Sequence, residues 1–334
     1  MHICMVMAGD EEGGLEKHVI ELANGLIKLK HRVSLIAHEK YRSRVENVQF
    51  YSLDLSKSRN NPILLWKLYQ TIKSIQADVL HVQANKAVSM IAPMLKWLNV
   101  PNVATLHNLK KNIKAFNRYD RIIAVSQRVA NQFSSQSKIR VVLNGVRPPD
   151  FIINSKSATY PLQAIAIGRL VKAKGFDLLI EAWKEVDAGL WIVGDGPDRQ
   201  VLQQQIEQTQ LSQRIKIWGH RDDINDLLLQ SDFLVISSRN EGGPYTLSEA
   251  LLLKRPVISS DVGMVSQVLL PSMICPANDT QALHQLLQQH IQHFSQLQKD
   301  AEPIFHFAQQ HLTINAMVEH TARVYQELLD DGHA

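Results

Sequence analysis

The chain has 334 residues, 45% hydrophobic and 20% charged, which is enough for two α/β domains with a core each. Its two cysteines exclude a disulfide-built scaffold, and no run approaches the ~20 apolar residues of a membrane-spanning helix. The net charge of +4 hides an asymmetry: residues 1–150 carry 22 Lys and Arg against 11 Asp and Glu, and residues 151–334 carry 14 against 21.

Short apolar runs alternate with longer amphipathic stretches, the pattern of βαβ units and parallel sheets. In the first half the runs at 2–7, 32–37, 47–52, 78–82, 102–106, 121–125 and 139–143 are expected to be strands. Helical periodicity lies between them, at 15–29, 63–75 and 86–98. Met1 leads directly into the first strand, so no secretory leader is expected and the expected location is cytoplasmic. Cys4 and Cys275 sit in strand-like runs and read as buried free thiols.

After the first strand comes the acidic run Asp10-Glu11-Glu12, then Gly13-Gly14-Leu15-Glu16-Lys17-His18, which opens the first helix. Glycines there let backbone approach a ligand, and a helix N-terminus offers N–H groups to an anion. The spacing is not the Gly-x-Gly-x-x-Gly fingerprint of nicotinamide enzymes. His81 and His107 each close a strand-like run, where a polar side chain faces the crevice at the carboxyl edge of a parallel sheet. The stretch 147–161, with Pro148, Pro149 and Pro161, reads as a linker.

The alternation then resumes, with strands expected at 163–168, 189–194, 214–218, 232–237, 256–259 and 273–275, and helix from 280 to 329. Gly168-Arg169 with Lys174-Gly175 puts two cations on a strand–helix connection, a fork and a point charge suited to phosphate oxygens. Gly194-Asp195-Gly196-Pro197 reads as a turn with Pro197 at the first helical position. In the stretch 238–250, Glu241 lies in a glycine-rich loop and Glu249 early in the next helix. Carboxylates are pure acceptors that suit sugar hydroxyls. Thr246 and Leu247, between them, bring helix N–H groups for an anion. Thr246-Leu247-Ser248-Glu249 also fits a capping box, a structural account of Glu249.

Taken together, these residues resemble the retaining GT-B glycosyltransferases of family 4 ("group 1"). The likeness extends to Ala124-Val125-Ser126, Asn144-Gly145-Val146 and Pro256-Val257-Ile258. Departures stand at Arg147, Met264 and Gln267, where the family more often has Asp, Gly and Glu. The resemblance implies two Rossmann-like doubly wound α/β domains facing a cleft. They would be an acceptor-side domain over 1–150 and a nucleotide-sugar domain over 151–310, with a helix over 311–334 crossing back to the first. Arg169 and Lys174 would hold the donor diphosphate, Glu249 the ribose and Glu241 the transferred sugar. Gly13 and Gly14 would admit the diphosphate to the amino-terminal loop, His107 would reach the sugar, and Gly219-His220 would lie near the base.

The activity so implied is transfer of a hexose or N-acetylhexosamine from a nucleotide-sugar donor to a glycan or lipid-linked acceptor. The context implied is bacterial surface polysaccharide or lipopolysaccharide synthesis. No Asp-x-Asp element and no His/Cys cluster at metal spacing occurs, so no metal or other cofactor is expected. A sugar-nucleotide epimerase on the same fold and a non-catalytic glycan- or nucleotide-binding subunit are the alternatives. The basic first half points to an anionic membrane surface as partner, with peripheral attachment. It carries no nucleic-acid recognition motif, so nucleic acid is not an expected partner.

Overall fold

The computed structural model describes residues 1–10, 13–149 and 160–331. The chain divides into two compact units, Met1–Gly145 with Ile314–Ala334, and Val146–Thr313. The linker expected at 147–161 falls mostly outside the described residues, as do Glu11 and Glu12 of the acidic run.

The first unit holds a parallel sheet of β1 (His2–Met7), β2 (Arg32–Ala37), β3 (Gln49–Ser52), β4 (Val79–Gln83), β5 (Asn102–Leu106), β6 (Arg121–Ala124) and β7 (Ile139–Val141), in the order β3-β2-β1-β4-β5-β6-β7. Alternation along β1 sends Cys4 and Val6 to one face and Ile3, Met5 and Met7 to the other. Both faces are covered, as a parallel sheet requires. The helices of this unit are α1 (Gly14–Lys28), α2 (Pro62–Ile75), α3 (Ala84–Ile91), α4 (Leu95–Leu98) and α5 (Gln127–Ala130). Asn61 caps α2, accepting from the N–H groups of Ile63 and Leu64, with Pro62 in the first turn. The helix then buries Leu64, Leu68, Ile72 and Ile75 as one stripe.

The second unit orders β8 (Leu162–Ile167), β9 (Ala188–Val193), β10 (Ile215–Gly219), β11 (Phe233–Ile236), β12 (Val257–Ser260) and β13 (Ile274–Cys275) as β10-β9-β8-β11-β12-β13, again parallel. Around it lie α6 (Phe176–Ala182), α7 (Arg199–Gln208), α8 (Ile224–Gln230), α9 (Tyr245–Leu252), α10 (Val265–Val268), α11 (Thr280–Gln292) and α12 (Phe294–His311). In each sheet the order reverses beside the first strand, between β1 and β4 and between β8 and β11. Connections leave such a switch point to opposite sides, which opens a crevice at the carboxyl ends. The last helix, α13 (Ile314–Asp331), belongs to the first unit and packs on α1. There Gly25 permits close approach, since a Cβ on it would stand 2.4 Å from Val318 Cγ2.

Each expected strand forms, its ends within two residues of expectation. β3 starts late because Asn47 is left-handed, φ 56°. The helix expected at 86–98 is broken: α3 ends at Ile91 and a 3-10 turn over Ala92–Met94 precedes α4. Pro93 has no N–H to carry the ladder through. Both cysteines are buried, and burial pushes the Cys4 thiol up to about 12 and Cys275 to about 11.

Candidate active site

At the switch point of the second sheet two loops leave side by side. From β8 the chain runs through Gly168 and Arg169 into a 3-10 turn, Lys172–Lys174. From β11 it runs through Ser237 to Glu241 and on into α9. Lys174 Nζ donates to Glu241 Oε1 at 2.5 Å, and Ser238 Oγ donates to the same oxygen at 2.9 Å. The two side chains are only 26% and 14% exposed. Arg169, on the same loop, is exposed and makes no ion pair among the described residues.

This pair is supported from behind. Arg239 forks onto Asp177 at 2.6 and 2.7 Å and also donates to the Lys172 carbonyl at 2.8 Å. The guanidinium holds the Asp177 carboxyl below the usual carboxylate range. The Arg239 N–H donates to the Ala173 carbonyl, and Ser237 Oγ to that of Lys174. Gly175 has φ 68°, and a Cβ there would stand 2.1 Å from the Ser237 carbonyl oxygen. Only glycine allows the two loops to touch at this point. Gly263 makes a similar approach, to the carbonyl of Gly242.

The structure departs from the sequence pattern at the starts of α9 and α7. α9 begins at Tyr245 with Pro244 as its N-cap, so Thr246 is not the cap. Pro244 has no N–H for Glu249 to bond, and the capping box does not form. Glu249 instead sits half-buried on the second turn. Thr246 has no intrahelical partner for its N–H, whereas the N–H of Leu247 donates to the Pro244 carbonyl and its side chain is buried. α7 starts at Arg199 and is preceded by Asp198, so Pro197 is not at the first helical position. Gly194 and Gly196 serve close packing, since a Cβ on each would strike the carbonyls of Gly168 and Leu170. Gly219 ends the edge strand β10 with φ 76°, and its carbonyl accepts from the Gly194 N–H. His220 beside it is exposed, 3.4 Å from Asp222.

The first unit has its own cluster at the carboxyl edge. Gly13 precedes α1 in extended conformation and Gly14 begins it. Glu16, buried, turns its carboxylate against Gly9 and Gly13. His107 directly follows β5, and its Nε2 lies 2.8 Å from Gln83 Oε1. That oxygen only accepts, so the proton resides on Nε2 and Nδ1 is an acceptor. The His18 ring meets His107 edge-on with centroids 4.7 Å apart, with the Asn144 side chain beside His18. Sequence reasoning singled out His107 but not His18, Gln83 or Asn144 as its companions. For His18 and Asn144 the one signal was membership of the motifs at 13–18 and 144–146, and Gln83 carried none. His81 is no crevice residue. It lies within β4, fully buried between Thr105 Oγ1 at 2.6 Å and Tyr325 OH at 2.5 Å. Burial lowers His18 to about 4, His81 to about 3 and His107 well below the usual histidine value, so all three are neutral near pH 7. Among the described residues, no group of three His, Cys, Asp or Glu is placed to hold a metal ion.

Residues 12–149 match the family described as Glycosyltransferase Family 4, and residues 150–302 match Glycosyl transferases group 1. The chain belongs to the family 4 glycosyltransferases. An uncharacterized glycosyltransferase of Methanocaldococcus jannaschii is 27% identical over 280 residues, 77% of this chain and 78% of that protein. The lipopolysaccharide core biosynthesis glycosyltransferase LpsD of Rhizobium meliloti is 24% identical over 265 residues, 75% of each. Anabaena HepE, solved in complex with UDP, has a TM-score of 0.83 at 20% identity, covering 98% of this chain and 100% of that one. Solved with UDP-glucose, it gives 0.81. These neighbours establish the two-domain GT-B fold for this family 4 glycosyltransferase, and the switch-point loops are where such a fold presents ligand-binding groups.

Proposed function

We propose that this family 4 glycosyltransferase moves a hexose or N-acetylhexosamine from a nucleoside-diphosphate sugar to a glycan or lipid-linked acceptor, with retention and without a metal ion. The observation that carries the reading is the Lys174–Glu241 pair on the two switch-point loops, with Arg169 beside it. It offers cations to a diphosphate next to a carboxylate that accepts from sugar hydroxyls. The anomeric C–O bond breaks first, leaving an oxocarbenium-like centre and a nucleoside diphosphate. The acceptor hydroxyl attacks from the same face and its proton passes to the departing phosphate oxygen. Arg169, Lys174 and the Thr246 N–H stabilise the negative charge that develops there. Glu249 takes the ribose hydroxyls and Gly219-His220 the base.

The UDP and UDP-glucose complexes of Anabaena HepE support a nucleotide-sugar donor, and the LpsD relative supports lipopolysaccharide synthesis as context. No helix of the described residues is long and apolar enough to cross a membrane. We assign the basic amino-terminal half to the acceptor and to an anionic membrane surface, where the protein attaches peripherally from the cytoplasm. The test is a panel of nucleotide sugars incubated with acceptor in EDTA, read by release of nucleoside diphosphate and by the anomeric configuration of the product. Turnover in EDTA with a retained anomer is expected. Complete loss restored by Mn²⁺ or Mg²⁺, or an inverted product, refutes the corresponding part.

A further inference from the structure

We propose that one face of the amino-terminal unit, formed by α2, α3 and α4, docks on an anionic bilayer, and that a basic pocket in it takes the phosphate of a lipid headgroup. This deepens, and rests on, the reading of that unit as the side that meets a membrane.

A pocket of about 420 Å³ opens where three segments meet. Arg59 comes from the loop before α2, Asn85 from α3, and Asn112, Lys114 and Arg118 from the stretch after β5. No carboxylate lines it. Among the described residues Arg59, Lys114 and Arg118 have no ion-pair partner, whereas several other cations of the unit are paired. Arg42 pairs with Glu39, Arg121 with Asp331 and Arg140 with Glu327. Three unneutralised cations around one concavity repel each other unless an anion shares them. The Asn112 carbonyl oxygen already accepts from the Lys114 N–H, which leaves its amide N–H groups to donate. Fixed cations with amide donors are phosphate-binding chemistry.

The surroundings of the pocket select the source of that phosphate. α2 buries one stripe and leaves Ile63 68% and Trp66 62% exposed, and on α4 Trp97 is 59% exposed. The two helices touch, Tyr69 OH donating to the Trp97 carbonyl at 3.4 Å. Both lead back to the pocket, because Arg59 lies shortly before Ile63 and the pocket residue Pro93 shortly before Trp97. Lys96 Nζ stands over the Trp97 ring at 4.5 Å, and Lys67 follows Trp66. Exposed indoles flanked by lysines suit a bilayer interface, with rings at the headgroup level and ammonium groups among the phosphates. A soluble phosphorylated ligand accounts for the pocket but leaves these side chains in water without a reason.

The whole protein is sedimented with vesicles of phosphatidylcholine, alone or mixed with phosphatidic acid, and titrated separately with inorganic phosphate. Binding to the mixed vesicles is expected, with a blue shift of tryptophan emission and quenching by brominated acyl chains. Replacing Arg59, Lys114 and Arg118 together by Gln should weaken vesicle binding on the order of a hundredfold, from about fivefold per cation. The combination Trp66→Ser with Trp97→Ser should abolish the quenching at unchanged charge. Lys28→Gln/Lys30→Gln/Arg32→Gln, which removes equal charge elsewhere, should bind as wild type does. Equal loss in both charge variants overturns the docking face and leaves membrane attachment by net charge standing. Phosphate binding without vesicle binding overturns the lipid source. No vesicle binding by the wild type refutes the membrane reading itself.

Discussion

Replacing Lys174 by alanine separates what the site does for the fold from what it does for the reaction. Lys174 Nζ lies 2.5 Å from Glu241 Oε1, with side chains 26% and 14% exposed. Such a partly solvated pair contributes about 1 kcal/mol to stability, and Glu241 keeps its bond from Ser238 Oγ when the lysine is gone. The melting temperature should therefore fall by only a few degrees. Turnover should fall far more, because removing one preorganised group that stabilises developing charge costs about 3 kcal/mol, or 10²–10³ in rate. The contact also predicts coupling. Lys174→Ala and Glu241→Gln together should lose less than the sum of the single losses, by about 1 kcal/mol, since either single change strands the other partner. Initial rates of nucleoside diphosphate release, measured beside melting curves for the two singles and the double, give all three quantities. If Lys174→Ala keeps more than about half of wild-type turnover, or if the two losses simply add, the assignment of this pair to the donor is wrong.

Glu249→Gln should weaken binding of the free nucleoside diphosphate, while Glu241→Gln should spare it and lower turnover. Calorimetric titration that finds equal affinities in both variants refutes the division between ribose and sugar. Gly175→Ala places a Cβ 2.1 Å from the Ser237 oxygen at φ 68°. Strain of about 1–3 kcal/mol should push the Lys174 turn away, and wild-type kinetics in that variant would show that the loops need not touch. Buried neutral histidines set a pH dependence whose sign follows from their lowered values. Below about pH 6.5 the unfolded chain takes up protons that native His18 and His81 refuse until about 4 and about 3. Unfolding free energy should thus drop between pH 7 and pH 5, by about 2 kcal/mol for each ring. Denaturant titrations giving a flat profile across that interval would refute their burial as neutral groups.

The strands were legible in the sequence because a parallel strand buried on both faces appears as a short unbroken apolar run, as in His2–Met7 and Phe233–Ile236. The glycines and charges after those runs were legible too, since a connection at the carboxyl edge needs residues that turn sharply and tolerate water. Helix boundaries were less so. Thr246-Leu247-Ser248-Glu249 satisfies the capping pattern, yet the chain enters α9 two residues earlier, where the turn after Gly243 and Pro244 directs it.

Local pattern therefore determined two doubly wound halves and the residue types at their strand ends. Which of those residues meet was decided only by strand order. Lys174 and Glu241 are 67 positions apart, and they touch because β11 lies against β8. Arg239 reaches Asp177 through the same adjacency. His81 and His107 looked alike as histidines near strand ends. The fold sets one inside β4 against Tyr325 of the returning helix and the other past the end of β5 beside His18. Periodicity reports which face of an element is buried, whereas a contact between loops depends on which strands are neighbours, and that choice is made by packing across the whole sheet.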